Sequence, residues 1–272
     1  ITAFGTDGFT LGSEAGGNGS SQTFVSWNWL ASNTTASNTD GSITSTVSAN
    51  TTAGFSIVSY TGNLTDGATV GHGLGVTPSC IIFKNRSDVQ YWVVYHKDLG
   101  GGNNHLRLDS NTATTTSLNM FSSTAPTSSV FELGNKEQVN GNTNNIIAYC
   151  FAEKKGYSKF GSYTGNGSTD GTFVYTGFKP AFVLSKCTSL TAEDWNINDN
   201  KRPGYNVIQN ALLPNSSSAE VTASYQAIDT LSNGFKWRGD NGRVNASGAT
   251  YIYMAFAENP FVTSTGIPTT AR

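Results

Sequence analysis

The chain has 272 residues, enough for two domains of ordinary size or one large β domain. Charged residues make up only 12% of the chain, the formal net charge is -2, and Lys and Arg are scattered singly, which argues against a nucleic-acid-binding protein and a polybasic membrane patch. No apolar run approaches the roughly 18 residues that a membrane span requires, so membrane insertion is not expected.

Short runs rich in Val, Ile, Phe, Tyr and Trp alternate with Ser, Thr, Asn and Gly, which is the composition of strands and turns. No stretch sustains a helical period of about 3.6 residues, so helix content should be very low. In chain order, the predicted strands are FSIVSY, SCIIFKN, WVVYH, NIIAYCFAE, FVYTGF, AFVLSKC, GFKWRG and TYIYMAFAE. Alternate residues of a strand point to opposite faces, and in IIAYCF the residues on both faces are apolar. This predicts a strand that is covered on both faces.

The sequence contains internal repeats. A front segment occurs twice, with SYTGN at residues 59–63 and 162–166, and GVTPSCIIFK at 75–84 matching GFKPAFVLSK at 177–186. A back segment occurs three times, as FTLG leading to FVSWNWLA (9–31), FELG leading to IIAYCFAE (131–153) and FKWR leading to YIYMAFAE (235–258). The order along the chain is therefore back, front, back, front, back.

This order sets the predicted architecture, an all-β chain of two tandem β-sandwich modules of jelly-roll or lectin-like type. The modules are predicted at residues 54–153 and 154–272, with an extra half-repeat at residues 1–31. Because this opening back segment has no front segment before it, we expect it to pack on a neighbouring module or subunit, with more polypeptide upstream. Residues 32–53 are rich in Ser, Thr and Asn with almost no apolar content, which predicts a solvated linker.

The cysteines Cys80, Cys150 and Cys187 lie in or beside apolar runs. Their odd number and the lack of a C-x-x-C spacing argue against a zinc site or a disulfide framework. We expect buried free thiols, which suits folding in a reducing cytoplasm.

A catalytic group that both modules need should occur in both, and the histidines fail this test. His72, His96 and His105 all lie in the first module, and the second has none. No G-x-S-x-G elbow, H-E-x-x-H motif or Walker phosphate loop is present in the sequence. We therefore predict a protein that is not an enzyme and that uses no cofactor; a catalytic histidine confined to the first module is the alternative.

The repeated carboxylates are Asp66 with Asp170, and Glu153 with Glu258. Nothing in the sequence brings them together as the acid pair that glycoside hydrolysis requires. Asp66 and Asp170 lie in T-G-N…D-G loops, where Asn and Asp oxygens could bind calcium. The favoured interpretation is a turn, because Asp-Gly tolerates positive φ and Asn and Thr side chains bond nearby backbone groups.

Aromatic residues make up 11% of the chain, and aromatic rings are common in surfaces that bind sugars. Trp92 and Trp195 occupy equivalent repeat positions, for which core packing is the default and glycan binding the alternative. Trp237 and Tyr175 have more polar neighbours and are expected to be exposed.

Several segments in combination carry a resemblance to a known family. They are NTDGSITSTVSANTTAGFSIVSYTGN, VGHGLGVTPSCIIFKNRS, IIAYCFAEKKGYSKFGSYTGNGSTDG, VYTGFKPAFVL and YIYMAFAENPF. Together they resemble tail-fibre-like virion proteins of marine and other environmental bacteriophages, over nearly the whole chain. The resemblance supplies no site residues, and it implies a phage structural protein, trimeric by analogy with fibres.

The leading hypothesis is a virion fibre or fibre-tip protein that attaches to a host-surface glycan or protein through its loops. It would be assembled in the host cytoplasm, join other virion proteins and act outside the cell. A capsid-bound decoration protein with a structural or weakly adhesive role is the alternative, and a polysaccharide depolymerase is a third hypothesis.

Overall fold

The computed structural model describes residues 1–5 and 8–258. The described residues are almost entirely β and form several antiparallel sheets, which confirms the predicted fold class at this level. Residues 1–30 form one compact unit, and residues 31–258 form another. Residues 259–272, which the sequence assigns to the second module, lie outside the described residues.

The first unit contains two short strands and one helical turn. β1 (Ala3–Phe4) and β2 (Phe9–Thr10) pair antiparallel, and α1 (Ala15–Asn18) follows them. Residues 24–31, which the sequence aligns with a strand in each later back segment, form no strand here. Packing of this unit on a neighbouring module or subunit stays a prediction.

The second unit begins with a pair of sheets that we call the first sheet pair. Its large sheet contains, in spatial order, β10 (Thr115–Thr116), β9 (Asn104–Arg107), β8 (Val93–His96), β7 (Cys80–Asn85), β12 (Asn145–Phe151), β5 (Phe55–Thr61), β4 (Ser45–Asn50) and β3 (Ala36–Asn38). Its small sheet contains β11 (Val130–Leu133) and β6 (Ala68–Gly71). A helical turn, α2 (Glu137–Asn140), precedes β12.

The remaining strands form the second sheet pair. One sheet contains, in spatial order, β13 (Ser158–Thr164), β21 (Thr250–Ala257), β15 (Pro180–Cys187) and β16 (Asn196–Asp199). The other contains β14 (Phe173–Tyr175), β20 (Gly234–Trp237) and β19 (Ile228–Leu231). A separate hairpin of β17 (Asn210–Ala211) and β18 (Val221–Thr222) precedes a short 3-10 turn, Ser224–Gln226.

The two sheet pairs share strand order and register. β5, β12, β7 and β8 lie side by side, and β13, β21, β15 and β16 lie in the corresponding order. The matched cross-strand pairs are Tyr60–Ile146 with Tyr163–Tyr251, Ile147–Lys84 with Ile252–Lys186, and Val70–Phe131 with Val174–Phe235. Residues that the sequence repeat aligns therefore occupy corresponding positions in the sheets.

Each sheet pair encloses an apolar core between its sheets. In the first, Phe83 of the large sheet packs edge-on against Phe131 of the small sheet, with ring centroids 5.3 Å apart. In the second, Tyr253 packs edge-on against Phe235, also at 5.3 Å. Burying one such aromatic side chain stabilises the fold by roughly 1.5–3 kcal/mol, so these contacts hold each pair together.

Residues 32–53 are not the solvated linker that their composition predicts. β4 pairs with β5 along its whole length, and β3 extends the sheet beyond β4. Ile43 forms a parallel bridge to Val70 of β6, and both Ile43 and Val47 are buried in the first core. Alternate residues of this stretch point inward, so a few apolar side chains suffice to anchor a strand. The stretch covers the outer edges of both sheets of the first pair.

The strand that is buried on both faces is β21 rather than β12. Residues 251–257 of β21 are all buried, whereas Ile147 and Tyr149 of β12 are only half-buried. One face of β21 faces the second core, and the other meets the first sheet pair, where the Phe256 ring lies 6.0 Å from that of Phe151. Residues 54–153 and 154–258 therefore share a buried face.

Hydrogen bonds also join the two sheet pairs. His96 Nε2 lies 3.3 Å from the carbonyl oxygen of Tyr253, and Trp195 Nε1 donates to the carbonyl oxygen of Arg107 at 2.8 Å. Both donors are on buried side chains. Because an unpaired buried donor is costly, these bonds fix how the pairs dock.

Candidate functional site

All three histidines are buried, and His72 and His96 are hydrogen-bonded in their neutral form. Backbone N–H groups of Leu74 and Asp98 donate to Nδ1 of His72 and His96 respectively, each at 3.2 Å. The Nε2 atom of each ring faces a backbone carbonyl oxygen, which fixes it as the N–H donor. Burial lowers the pKa of His72 and lowers the pKa of His96 to about 4. These rings stabilise the fold and do not reach solvent.

The buried His96 predicts a fold that weakens in acid. Its pKa is about 4 when folded and about 6.5 when exposed, so between these values the unfolded chain binds a proton that the folded chain does not. Stability should therefore fall as the pH drops from about 7 towards 4, by up to about 3 kcal/mol. Urea unfolding of the wild type and His96→Gln at about pH 7 and pH 4.5 checks this. If the free energy of unfolding fell equally in both proteins between pH 7 and pH 4.5, the prediction would be contradicted.

The cysteines are free and buried, as predicted. Burial raises the pKa of Cys80 to about 12 and raises that of Cys150 well above its ordinary value. Thiols of this kind stay protonated and unreactive, because only the thiolate is a strong nucleophile.

Lys186 is fully buried where the two sheet pairs meet. Its Nζ donates to the carbonyl oxygens of Glu193 at 2.8 Å and Cys187 at 3.0 Å, and burial lowers its pKa to about 8. Its register counterpart, Lys84, is half-buried, with Nζ 5.9 Å from the centre of the Trp92 ring. The Lys186 amine is enclosed and bonded to backbone carbonyl groups. Its role is therefore structural, and it cannot contact a ligand at the surface.

Asp66 and Asp170 both have protein partners. The Ser122 hydroxyl donates to Asp66 at 2.5 Å, and Asp170 forms ion pairs with Lys236 at 2.9 Å and Arg238 at 3.2 Å. The hydrogen bond from Lys236, and then its charge, lower the pKa of Asp170. Across residues 1–5 and 8–258, no cluster of three or more His, Cys, Asp or Glu side chains is placed to hold a metal ion.

The loops that carry these aspartates are held by a buried asparagine that the sequence does not single out. Asn245 Nδ2 lies 2.9 Å from Asn166 Oδ1, 2.9 Å from the carbonyl oxygen of Ser168 and 3.0 Å from that of Gly239. Its Oδ1 accepts the backbone N–H of Asn166 at 3.0 Å. Asn140 bonds the corresponding loop of the first sheet pair in the same manner. This geometry supports the turn interpretation.

The four aromatic candidates differ in exposure. Trp237 is 0% exposed, so the prediction that it lies at the surface is wrong. At the end of β20 the Trp237 side chain points inward, whereas its neighbours Lys236 and Arg238 are only half-buried. Trp195 is also buried, and Trp92 is half-buried. Tyr175 is 62% exposed, as predicted.

Tyr175 borders an open groove of about 470 Å³ at the start of β13 and the end of β14. Its lining side chains combine one aromatic ring with charged and hydroxyl groups, and the lining residues are Glu153, Lys155, Gly156, Ser158, Lys159, Tyr175, Thr176 and Gly177. Tyr175 faces Gly234 across the strand pair, so no cross-strand side chain covers its ring. Phe173 lies two residues earlier on the same strand face and is also exposed.

In the first sheet pair, the place that corresponds to this groove is filled by a side chain of β4. By the strand register that matches Val70 with Val174, Gly73 lies at the position of Gly177, whereas the sequence repeat aligns Gly177 with Gly75. A Cβ on Gly73 would lie 3.2 Å from a methyl group of Val47 in β4. In the second pair, the residues before β13 belong to β12 and its turn, so they cannot form an edge strand. β13 and β14 consequently end their sheets in the described part of the chain, and the gap between them stays open.

A comparison with protein families identifies the chain. A family model described as a domain of unknown function, DUF7483, matches residues 1–260. The chain belongs to this family. No curated protein and no solved structure matches the chain. The DUF7483 match includes residues 1–30 as well as both sheet pairs.

In this DUF7483 chain, the repeated carboxylates Glu153 and Glu258 serve separate ion pairs. Glu153 binds Lys159 at 2.5 Å, and Glu258 binds Lys201. Of the helices in the described residues, none has the length and apolar content to cross a membrane. The groove beside Tyr175 combines an exposed aromatic ring with charged side chains, and it is a candidate site for an external ligand.

Proposed function

We propose that this chain is a non-catalytic component of a virion fibre or fibre tip that attaches the particle to a host surface. The virion part of the proposal rests on the resemblance of the quoted segments. The observation that carries the attachment role is the exposed aromatic pair, Phe173 and Tyr175, beside an open groove on a densely hydrogen-bonded β scaffold. A rigid scaffold that presents exposed rings and polar groups is suited to adhesion, because little ordering entropy is lost on binding.

The second sheet pair exposes these rings at strand positions that hold small, covered residues in the first. By register, Phe173 and Tyr175 correspond to Thr69 and Gly71 of β6 in the first sheet pair. In the first pair these two positions are covered, because Asn38 lies directly over Gly71 and Ser42 bonds Thr69. Aromatic side chains at exposed positions that the architecture leaves free are candidates for binding rather than for packing.

We further propose that the two sheet pairs are two copies of one β-sandwich module. This is supported by their shared strand order, by the matched registers and by the buried Asn140 and Asn245 at corresponding loops. Under this proposal the groove is a feature of the second copy, because within residues 31–258 only the first copy has residues such as Val47 filling that place.

Tyr175→Ala should weaken attachment without weakening the fold. The ring is exposed, so the free energy of unfolding should change by less than about 0.5 kcal/mol. Removing a central aromatic contact should weaken binding of the purified chain to host cells about tenfold or more. Tyr205→Ala is the matched control, since Tyr205 is 80% exposed and lies outside the groove. Equal binding by both variants would contradict this assignment.

The broader proposal is tested on phage particles that carry the chain. Purified wild-type chain at saturating concentration should block adsorption of these particles to host cells, and failure to block would argue against attachment. Antibody labelling of intact particles should mark the tail fibres; label confined to the capsid would favour a decoration protein instead. Release of reducing ends from host polysaccharide by the purified chain would show an enzyme.

A further inference from the structure

The groove beside Tyr175 combines an exposed ring with local positive charge. Segment 153–159 reads EKKGYSK, with three lysines and one glutamate, in a chain whose net charge is -2. Lys155 and Lys159 line the groove, and Lys155 is exposed. Glu153 is paired with Lys159, so Lys155 leaves the lining with a net positive charge. This arrangement favours a ligand that carries negative charge.

The remaining lining groups suit a sugar ring. The exposed Tyr175 ring offers an apolar face with a polar hydroxyl at its edge, which matches the apolar and hydroxyl-bearing sides of a pyranose. Glu153 supplies carboxylate oxygens that accept hydrogen bonds from sugar hydroxyls. The ammonium groups of Lys155 and Lys159 donate hydrogen bonds and attract a carboxylate.

We infer that this groove binds a pyranose unit that carries a carboxylate, within an acidic polysaccharide of the host surface. Tyr175 packs against the sugar ring, Lys155 pairs with the carboxylate, and the Glu153–Lys159 pair bonds hydroxyl groups. The inference rests on the proposed attachment function and adds the class of ligand. The negative charge of the ligand follows from the excess of lysine, because Lys155 attracts an anionic sugar by its charge and can only donate hydrogen bonds to an uncharged one.

An oligosaccharide with and without its carboxylates provides the direct test. Oligogalacturonate and the same oligosaccharide with its carboxyl groups reduced to alcohols are titrated into the full chain by calorimetry. We expect the acidic form to bind about tenfold or more tightly than the reduced form, and added salt to weaken only the acidic form.

Two variants of exposed groove residues assign the contacts, and a third variant outside the groove is the control. Lys155→Gln should weaken binding of the acidic form several-fold and leave binding of the reduced form unchanged. Tyr175→Ala should weaken both forms, and Tyr205→Ala neither. Urea unfolding of each variant confirms that the fold is retained.

Several results would overturn the inference. Equal affinity for both forms, no binding of either form, or acidic binding that Lys155→Gln leaves unchanged each contradicts it. So does tight binding of a synthetic peptide with the sequence of residues 42–50, if Tyr175→Ala abolishes that binding, because the groove would then be an acceptor for an extended strand like β4. If the chain blocks adsorption while these sugar experiments fail, the attachment function stands and the acidic ligand does not.

Discussion

Trp237→Ala should destabilise the protein by about 3–5 kcal/mol, the usual cost of truncating a fully buried aromatic residue. The Trp237 ring is 0% exposed and lies between the rings of Phe235, at 5.8 Å, and Tyr163, at 6.2 Å. Alanine leaves a cavity in the second core that the rigid sheets cannot close. Urea unfolding followed by circular dichroism measures the loss.

Trp92→Ala is the matched control for Trp237→Ala. Trp92 is half-buried, so its loss should cost clearly less. Protein that remains folded after Trp237→Ala should bind host cells as the wild type does, because Trp237 does not reach the groove. If the Trp237→Ala protein were stable but no longer bound host cells, Trp237 rather than Tyr175 would be the binding residue.

Asn245→Ala should cost about 3 kcal/mol, because it removes a fully buried side chain that bonds backbone groups of two segments. The backbone N–H of Asn166 and the carbonyl oxygens of Ser168 and Gly239 lose their partner together. Leaving such groups unpaired costs more than the bonds themselves contribute. Thermal unfolding should show the loss as a midpoint lower by roughly 6–12 °C.

The repeat supplies an internal comparison for Asn245→Ala. Asn140→Ala removes the corresponding bonds in the first sheet pair and should cost a similar amount. Asn142→Ala is the control, since Asn142 is exposed and its side chain makes none of these bonds. A loss below about 1 kcal/mol for both buried asparagines would show that the loops are not held by them.

The strands of the two sheet pairs follow from the sequence because short apolar runs and turn residues encode them locally. The correspondence of Lys84 with Lys186 also follows, since the repeat aligns them and the register places both opposite the central strand. β4 does not follow. It contributes one buried apolar residue, Val47, and its stability comes from pairing with β5, which composition does not report.

The site was only partly predictable for a related reason. Exposure of Tyr175 follows from its polar neighbours, but the same argument fails for Trp237, where alternation along F-K-W-R is the better guide. The groove depends on which strand edges stay open, a property of topology rather than of local sequence. The buried Asn140 and Asn245 could have been found from the V-N pair that recurs at 139–140 and 244–245.

The shared buried face has a mechanical consequence. The turn at residues 152–157 links the sheet pairs, yet it cannot serve as a hinge, because rotation about it would break the bond from Trp195 to Arg107 and pull Phe256 away from Phe151. Thr114 and Thr188 add a backbone hydrogen bond of 3.0 Å across the same junction. Both sheet pairs therefore resist a shear force on residues 54–258 as one stiff body, unlike two domains that are joined by a flexible linker.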